Sequence, residues 1–285
     1  MKKILFGALA ASVMAASGVA HSEVKDSSDP AEFREIFIQY FEDRFPQIDK
    51  SEYNMGVYSL LPDAKAQWED QMMFPAYEQH IVRGEEVWNT TKFPNGETFE
   101  SCLGPAKGLR AKYPFFDTEA DEVRVLEEDL IRCQEANGVK EPWNAKSKDL
   151  KAVSAYLSNE SRGMTIDVAM PDDPAAVEAF NKGKEVWYRK TGQLNMACAD
   201  CHQYHSGQNA RAETLSYGVG KTAHWPLVRY SRGDGLFTLH QRFNGCMRSV
   251  RAIGYGEYSP EFKNLEFFLS YIDNGIEING PNLRK

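Results

Sequence analysis

The chain has 285 residues, of which 42% are hydrophobic and 26% are charged, and its mean hydropathy is -0.52. This composition is typical of an ordinary soluble globular protein with about two domains, and it excludes a largely disordered chain and a protein built within a bilayer. The net charge of -8 argues against nucleic acid as a partner, because phosphate backbones are bound by clustered lysine and arginine.

The first twenty residues have the pattern of an export signal. Two lysines precede an uncharged stretch rich in alanine, and the small residues Gly18 and Ala20 provide a cleavage site before His21. A membrane-spanning helix needs about 20 predominantly apolar residues, and this stretch is shorter and diluted by glycine and serine. We therefore predict a signal peptide at residues 1–20, a periplasmic location and no membrane span in the mature chain. An uncleaved membrane anchor is the weaker alternative.

An internal repeat with an offset of 99 residues organises the chain after residue 75. Residues 84–88, Gly-Glu-Glu-Val-Trp, recur at 183–187 as Gly-Lys-Glu-Val-Trp, and the same offset aligns Cys102 with Cys201. Apolar residues at three- and four-residue spacings accompany both copies and predict amphipathic helices. No strand alternation of comparable strength is present, so a mainly helical fold is predicted.

The repeat predicts two helices in each copy. The apolar positions of the first helix are Phe74, Tyr77, Ile81 and Trp88 in one copy, and Val177, Phe180, Gly183 and Trp187 in the other. The apolar positions of the second helix are Leu150, Val153, Tyr156 and Leu157, and then Leu265, Phe268, Tyr271 and Ile272. Asp173-Pro174 and Ser259-Pro260 predict helix starts, each with a capping side chain and a first-turn proline. Gly183 is expected to permit close approach of an aromatic residue such as Tyr271, and the acidic residues between 117 and 129 are expected to form a solvated face.

Cys198-Ala199-Asp200-Cys201-His202, in the second copy, matches the attachment sequence of a c-type haem. Thiols three positions apart lie on one side of a helical turn, where they form thioethers to two vinyl groups, and the next residue brings an imidazole to the iron. A thioredoxin-like pair or half of a zinc site is the alternative, but neither needs the histidine, and zinc needs a second pair. We predict one covalent haem c, held by Cys198 and Cys201, with His202 as an axial iron ligand.

The first copy lacks this motif, because Phe99 and Leu103 occupy the positions of Cys198 and His202. The sequence therefore predicts two tandem cytochrome c-like domains with haem only in the second. The predicted boundaries are 21–75 for an N-terminal extension, 76–165 for the haemless domain and 174–285 for the haem-binding domain.

Three cysteines remain outside the haem motif. A disulfide between Cys102 and Cys133 is the economical pairing, since exported thiols meet oxidising conditions and closing a loop of this length contributes about 3–4 kcal/mol. A pairing across the domains to Cys246 is the alternative, and it would join units that look separately foldable.

The economical pairing leaves Cys246, 44 residues after His202, where a cytochrome c chain passes over the distal face of the haem. Six basic residues and one acidic residue lie between positions 221 and 251, and positive charge favours a thiolate and attracts small anions. Other interpretations stay open. In the first, Cys246 is only a small buried residue. In the second, Met247 is the distal iron ligand of an electron-carrying cytochrome. In the third, His240 is the second iron ligand.

The chain combines an export signal, two cytochrome c repeats with one haem motif, a cysteine pair in the first repeat, and the segment Arg242-Phe243-Asn244-Gly245-Cys246 near the end. With these features, the chain as a whole resembles the SoxA family. These proteins are the cytochrome subunits of thiosulfate-oxidising SoxAX complexes, and the resemblance extends over nearly the whole mature chain, to the one-haem branch. It implies that His202 and Cys246 are the two axial ligands, that Cys246 carries a persulfide and that Arg242 binds substrate.

The resemblance also implies a reaction and partners. The expected activity is that of an L-cysteine S-thiosulfotransferase, which couples thiosulfate oxidatively to a cysteine thiol of the SoxYZ sulfur carrier and passes electrons to a SoxX-type cytochrome in a heterodimer. Cys246 is then a sulfur relay and Arg242 holds sulfonate oxygens, with help from Arg248 or Lys221. The alternative is a plain periplasmic electron-transfer cytochrome c with Met247 on the iron. A two-haem peroxidase or thiosulfate dehydrogenase would need a second attachment motif.

Overall fold

The computed structural model describes residues 26–229 and 235–284, and in these segments the fold is mainly α-helical. The predicted signal peptide at residues 1–20 lies outside the described residues. Within the described segments, no helix is long and apolar enough to cross a membrane.

Helices form about half of the described chain. The α-helices are α1 (Pro30–Arg44), α2 (Pro62–Gln71), α3 (Glu78–Thr90), α4 (Phe99–Leu103), α5 (Leu126–Ala136), α6 (Lys148–Asn159), α7 (Pro174–Tyr188), α8 (Leu239–Ser249) and α9 (Pro260–Ile272). The other helical segments are two 3₁₀ stretches, Lys50–Ser59 and Arg110–Lys112, and a π-helical turn, Asp200–Tyr204.

The strands are two or three residues long. They are β1 (Phe115–Asp117), β2 (Glu122–Arg124), β3 (Asn209–Ala210), β4 (Glu213–Thr214), β5 (Leu227–Arg229), β6 (Leu236–Phe237) and β7 (Asn282–Arg284). β1 pairs antiparallel with β2, and β3 pairs antiparallel with β4. In a third sheet, β5 lies between antiparallel β6 and parallel β7. Such short segments contain too few residues for an alternating pattern, which is why the sequence did not predict them.

The predicted starts of α7 and α9 are confirmed. The Asp173 side chain accepts a hydrogen bond from the backbone N–H of Ala175 at 2.9 Å, and each helix has proline in its first turn. The predicted stripe on α3 is wrong at Phe74, which lies before the helix with 88% of its surface exposed, whereas Tyr77 is the N-cap residue of α3 and is buried. Phe74 precedes Pro75, and a following proline disfavours the helical backbone.

Two helix pairs cross in the same manner, α3 with α6 and α7 with α9. Each crossing brings a glycine against the backbone of the partner helix. A Cβ on Gly84 would overlap the carbonyl oxygen of Ala152, and a Cβ on Gly183 would overlap that of Asn264 and lie 2.7 Å from the Cβ of Phe268. Only glycine permits helices to approach this closely, so the repeated glycine sets both crossings.

The aromatic residue at the second crossing differs from the one expected. Phe268 opposes Gly183, whereas the Tyr271 ring packs edge-on against Phe180, with 5.5 Å between the ring centroids. The prediction of Tyr271 was wrong because α9 crosses α7 nearly one turn earlier, and α-helical positions three residues apart lie over different points of the partner helix.

Helix α1, in the N-terminal extension, packs against the α7 and α9 pair. Phe33, Phe37 and Phe41 on one face of α1 are buried. The Phe33 ring lies 5.9 Å from that of Phe268, and the Phe37 ring lies 6.0 Å from that of Trp187. Buried aromatic rings supply large apolar areas, so the extension completes the core around the second copy of the repeat.

Aromatic rings fill the core of the first copy where the haem thiol is missing. Phe99 is fully buried and stacks between Trp88 and Trp143, with centroid distances of 5.6 and 5.1 Å. Nearby, a disulfide is present between Cys102 in α4 and Cys133 in α5, with their Cα atoms 6.1 Å apart. The rings and the covalent link together hold α4 against its neighbours.

The acidic segment between residues 117 and 129 is not the solvated face that was expected. Asp129 is 4% exposed and pairs with Arg124 at 2.6 Å. Lys263 of α9 reaches Glu122 at 2.6 Å and Glu128 at 3.2 Å. The expectation was wrong because the acidic side chains pair with cations on both sides: Arg124 and Arg132 lie close in sequence, and Lys263 comes from a distant helix that local charge patterning does not reveal.

Candidate haem and thiol site

The predicted attachment sequence forms a tight helical turn. Cys198 begins the turn, Cys201 lies within its π-helical part, and both thiols are free and partly buried. The Asp200 side chain accepts a hydrogen bond from the backbone N–H of Ala197 at 2.7 Å, and this bond stabilises the start of the turn. The two thiols are therefore presented from one short, internally hydrogen-bonded segment.

His202 follows with one ring nitrogen engaged by the protein. Its Nδ1 lies 2.8 Å from the carbonyl oxygen of Ser216, and the Trp187 ring lies 6.3 Å away. Burial, with the positive charges of Lys221 and Arg242, holds the pKa of His202 well below its ordinary value. A neutral imidazole that donates its Nδ1 proton to a carbonyl keeps the Nε2 lone pair available for a metal. Two free thiols followed by such an imidazole have the donor chemistry that a c-type haem requires.

Helix α8 brings Cys246 to the same region. The loop leading into the attachment turn contacts the end of α8, where the backbone N–H of Leu194 donates to the carbonyl of Val250 at 3.3 Å. Burial, followed by the negative charge of Cys246, raises the pKa of Cys198 to about 12. The unpaired cysteine is thus close enough to the attachment thiols to influence their ionisation.

Two arginines flank Cys246 on α8. Arg242 lies one turn before it, and the guanidinium nitrogens of Arg242 and Arg248 lie 4.0 and 3.9 Å from the point that a Cβ on Gly245 would occupy. Arg242 is partly buried, and Arg248 is exposed. Planar guanidinium groups bind oxyanions through paired hydrogen bonds, so the surface beside Gly245 suits a small anion.

Lys221 lies on the imidazole side of the site. Its Nζ is 3.0 Å from Nδ1 of His202 and 2.5 Å from Oγ of Ser216. Burial lowers the pKa of Lys221 to about 7, and the charge of Cys246 opposes that change. The structure thus assigns Lys221 to the histidine rather than to the anion surface beside Gly245, and nothing in the local sequence signals this contact.

The other histidine considered as a ligand has its nitrogens engaged elsewhere. His240 is 3% exposed, its Nδ1 accepts the backbone N–H of Tyr258 at 3.0 Å, and its Nε2 lies 3.0 Å from a carboxylate oxygen of Glu266.

Met247 follows Cys246 on α8, and consecutive helical residues point about 100° apart. Cys246, four residues after Arg242, shares that arginine's face of the helix.

Known proteins resemble most of the chain. A family model described as SoxA/TsdA, cytochrome c domain, matches residues 83–166, in the copy of the repeat without the attachment sequence. L-cysteine S-thiosulfotransferase subunit SoxA of Allochromatium vinosum is 39% identical, over 91% of this chain and 92% of its own length. The protein of the same name from Chlorobaculum thiosulfatiphilum is 40% identical, over 87% of this chain and 86% of its own. A solved structure described as SoxXA from P. pantotrophus has 31% identity and a TM-score of 0.69, covering 77% of this chain and 84% of that one.

Proposed function

The chain belongs to the SoxA family of L-cysteine S-thiosulfotransferase subunits, and on this premise we propose that it couples thiosulfate oxidatively to a cysteine thiol of a SoxYZ carrier in the periplasm. A SoxX-type cytochrome is its partner and takes up the electrons. In this proposal the chain contains two tandem cytochrome c-like domains, at 76–165 and 174–285, and one haem c in the second.

The residues of the attachment turn fit that haem. Cys198 and Cys201 would hold it covalently, and His202 would bind its iron through Nε2, while Nδ1 is engaged by the carbonyl of Ser216. Cys246 would bind the iron through its sulfur as a second ligand. When bound, the haem supplies a one-electron redox centre.

The overall reaction joins two sulfur atoms. The outer sulfur of thiosulfate forms a bond to the carrier's cysteine sulfur, the thiol loses its proton, and two electrons leave toward the partner cytochrome. Cys246 serves as the sulfur relay and carries an extra sulfur as a persulfide, which is more acidic than a thiol and transfers sulfur readily. Its outer sulfur forms a bond to the outer sulfur of thiosulfate as two electrons leave toward the partner cytochrome. The carrier's thiolate then bonds to that thiosulfate sulfur, the bond to Cys246's outer sulfur breaks, and the persulfide is regenerated.

Arg242 and Arg248 bind the substrate in this proposal. Thiosulfate carries two negative charges, and a persulfide anion beside it adds a third, so association without cations would be opposed by repulsion. Their guanidinium nitrogens both lie within 4.0 Å of one point beside Gly245. We assign Arg242 the main role, because it is partly buried and lies on the Cys246 face of α8.

The observation on which the proposal chiefly depends is the grouping of an unpaired cysteine, two guanidinium groups and the attachment thiols at one place. A plain electron-transfer cytochrome needs neither the cysteine nor the arginines there. That alternative assigns Met247 to the iron and predicts a high reduction potential, whereas thiolate ligation predicts a low one.

The decisive experiment compares Cys246→Ala with Met247→Leu, in complex with a SoxX-type partner and with SoxYZ as acceptor. We expect Cys246→Ala to retain covalent haem through Cys198 and Cys201, to lose the thiolate electron paramagnetic resonance signature, and to stop forming the S-thiosulfonate on the carrier. Met247→Leu should keep all three properties. Undiminished conjugation by Cys246→Ala would refute the relay, and loss of the native spectrum only in Met247→Leu would favour the electron carrier.

Intact-mass measurement of the purified chain tests the cofactor and the modification together. We expect one covalent haem, one disulfide, and an additional mass of about 32 Da for an extra sulfur on the remaining cysteine. A chain with no covalent haem would contradict the proposed function at its first step.

A further inference from the structure

Lys221 is held in place by contacts from both sides. The carboxylate of Asp273 accepts the backbone N–H groups of Gly220 at 2.6 Å and Thr222 at 2.8 Å, the two residues that flank Lys221. The indole N–H of Trp225 donates to the carbonyl of Lys221 at 2.7 Å. Three hydrogen bonds therefore fix the backbone at Lys221 and at its two neighbours, and the lysine side chain starts from a defined position.

The end of the side chain contacts no carboxylate. Among the described residues, no ion pair joins Lys221 to an acidic group, although buried or partly buried lysines usually have such a partner. Its ammonium instead lies 2.5 Å from Oγ of Ser216 and 3.0 Å from Nδ1 of His202. Ser216 also provides the carbonyl that accepts from His202, so the lysine lies beside His202 Nδ1 and the hydroxyl of the residue whose carbonyl holds that imidazole.

We propose that Lys221 is a positioning residue that limits electron donation by His202 to the haem iron. This inference rests on the proposed function, because it requires that His202 is an axial ligand. A ligating histidine that donates a strong hydrogen bond from Nδ1 gains imidazolate character and becomes a more basic ligand. The Nδ1 proton is donated to the Ser216 carbonyl, so Lys221 acts on the imidazole through charge: its ammonium, 3.0 Å from Nδ1, draws electron density from the ring and adds positive charge on the histidine side of the site. Both effects favour the reduced state and raise the reduction potential.

The position of Lys221 separates this function from substrate binding. Arg242 and Arg248 converge beside Gly245 on α8, whereas the Lys221 ammonium contacts the histidine and serine of another segment. A higher potential at the site would ease the acceptance of electrons from the two reacting sulfur atoms, while thiolate ligation acts in the opposite direction. Lys221 therefore offsets part of the effect of Cys246 on the metal.

The test is the midpoint potential of the haem-loaded, full-length chain, measured by spectroelectrochemical titration. We expect Lys221→Met to shift the potential to a more negative value, and Lys221→Arg, which retains a charged donor, to restore most of the wild-type value. Lys190→Met is the matched control, because Lys190 is near the attachment turn but 58% exposed, 3.8 Å from Asp200. It should leave the potential unchanged.

The possible outcomes distinguish this inference from the function on which it rests. Covalent haem in every variant, with identical potentials in Lys221→Met and wild type, would overturn the assignment of Lys221 alone. A shift to a more positive potential would overturn it as well. Absence of covalent haem from the wild-type chain would instead refute the proposed function. If Lys221→Met does not fold, Lys221→Gln replaces it, and a potential for Lys221→Gln that is not more negative than that of Lys221→Arg refutes the inference.

Discussion

Replacing Gly183 by alanine tests whether the helix crossing behind the candidate haem site depends on a missing side chain. The added Cβ would lie 2.6 Å from the carbonyl carbon of Asn264 and 2.7 Å from the Cβ of Phe268. Carbon atoms in ordinary contact are about 3.5–4.0 Å apart. Because these neighbours belong to the backbone or are attached directly to it, they cannot rotate away, and α7 and α9 must separate by about 1 Å.

The free energy of unfolding should fall by about 2 kcal/mol. Overpacking a well-packed core costs about 1–3 kcal/mol, and immovable neighbours favour the upper value. Alanine in a helix interior returns up to about 1 kcal/mol relative to glycine. In a chain of this size, each 1 kcal/mol changes the melting temperature by about 2–4 °C, so Gly183→Ala should melt about 4–8 °C below the wild type.

Thermal unfolding followed by far-ultraviolet circular dichroism measures this difference. Gly245→Ala, also within a helix, is the matched control, because the added Cβ would make only ordinary contacts, at 3.9 and 4.0 Å, with two arginine side chains. It should be as stable as wild type or slightly more so. Gly84→Ala should resemble Gly183→Ala, since its Cβ would lie 2.8 Å from that of Tyr156. If Gly183→Ala melted at the same temperature as Gly245→Ala, close backbone approach would not explain the repeated glycine.

Three further predictions concern the first copy of the repeat and its contact with α9. Phe99→Ala should lower the unfolding free energy by about 3–5 kcal/mol, and a loss below 1 kcal/mol in urea denaturation would contradict the buried three-ring stack. Replacing Cys102 and Cys133 together by alanine should cost about 3 kcal/mol. An unchanged urea midpoint would show that the covalent link adds nothing. Hydrogen bonding from Arg132, aided by Lys263, lowers the pKa of Glu122 to about 2 from an ordinary value near 4.5. The resulting stabilisation is therefore complete above about pH 4.5 and is lost as the pH falls toward 2, and Glu122→Gln should weaken this dependence in acid denaturation.

Much of the helical framework could be predicted because its determinants are local. The caps at Asp173 and Ser259 and the repeated glycine lie within the elements that they define. The contacts of Lys263 with Glu122 and Glu128 could not be predicted, since they join residues more than 130 positions apart. Tertiary proximity of this kind leaves no periodic pattern in the sequence.

The site divides in the same way. The spacing of Cys198, Cys201 and His202 specifies its chemistry within five residues, and the resemblance through Arg242 and Cys246 located a second segment. The contact between Lys221 and His202 escaped prediction because it depends on how the chain folds back over 19 residues. The assignments of iron ligands and substrate-binding residues stay predictions, and the variants at Cys246, Met247 and Lys221 are designed to test them.

The ring stack around Phe99 opposes the introduction of a haem attachment sequence into the first copy. An engineer who wished to build one there would need cysteine at position 99 and histidine at position 103. The first exchange removes the ring that Trp88 and Trp143 both contact, so the intermediate protein would contain a cavity before it gained any prosthetic group. A stepwise redesign therefore passes through a destabilised intermediate, and the flanking tryptophans would have to be replaced in the same step.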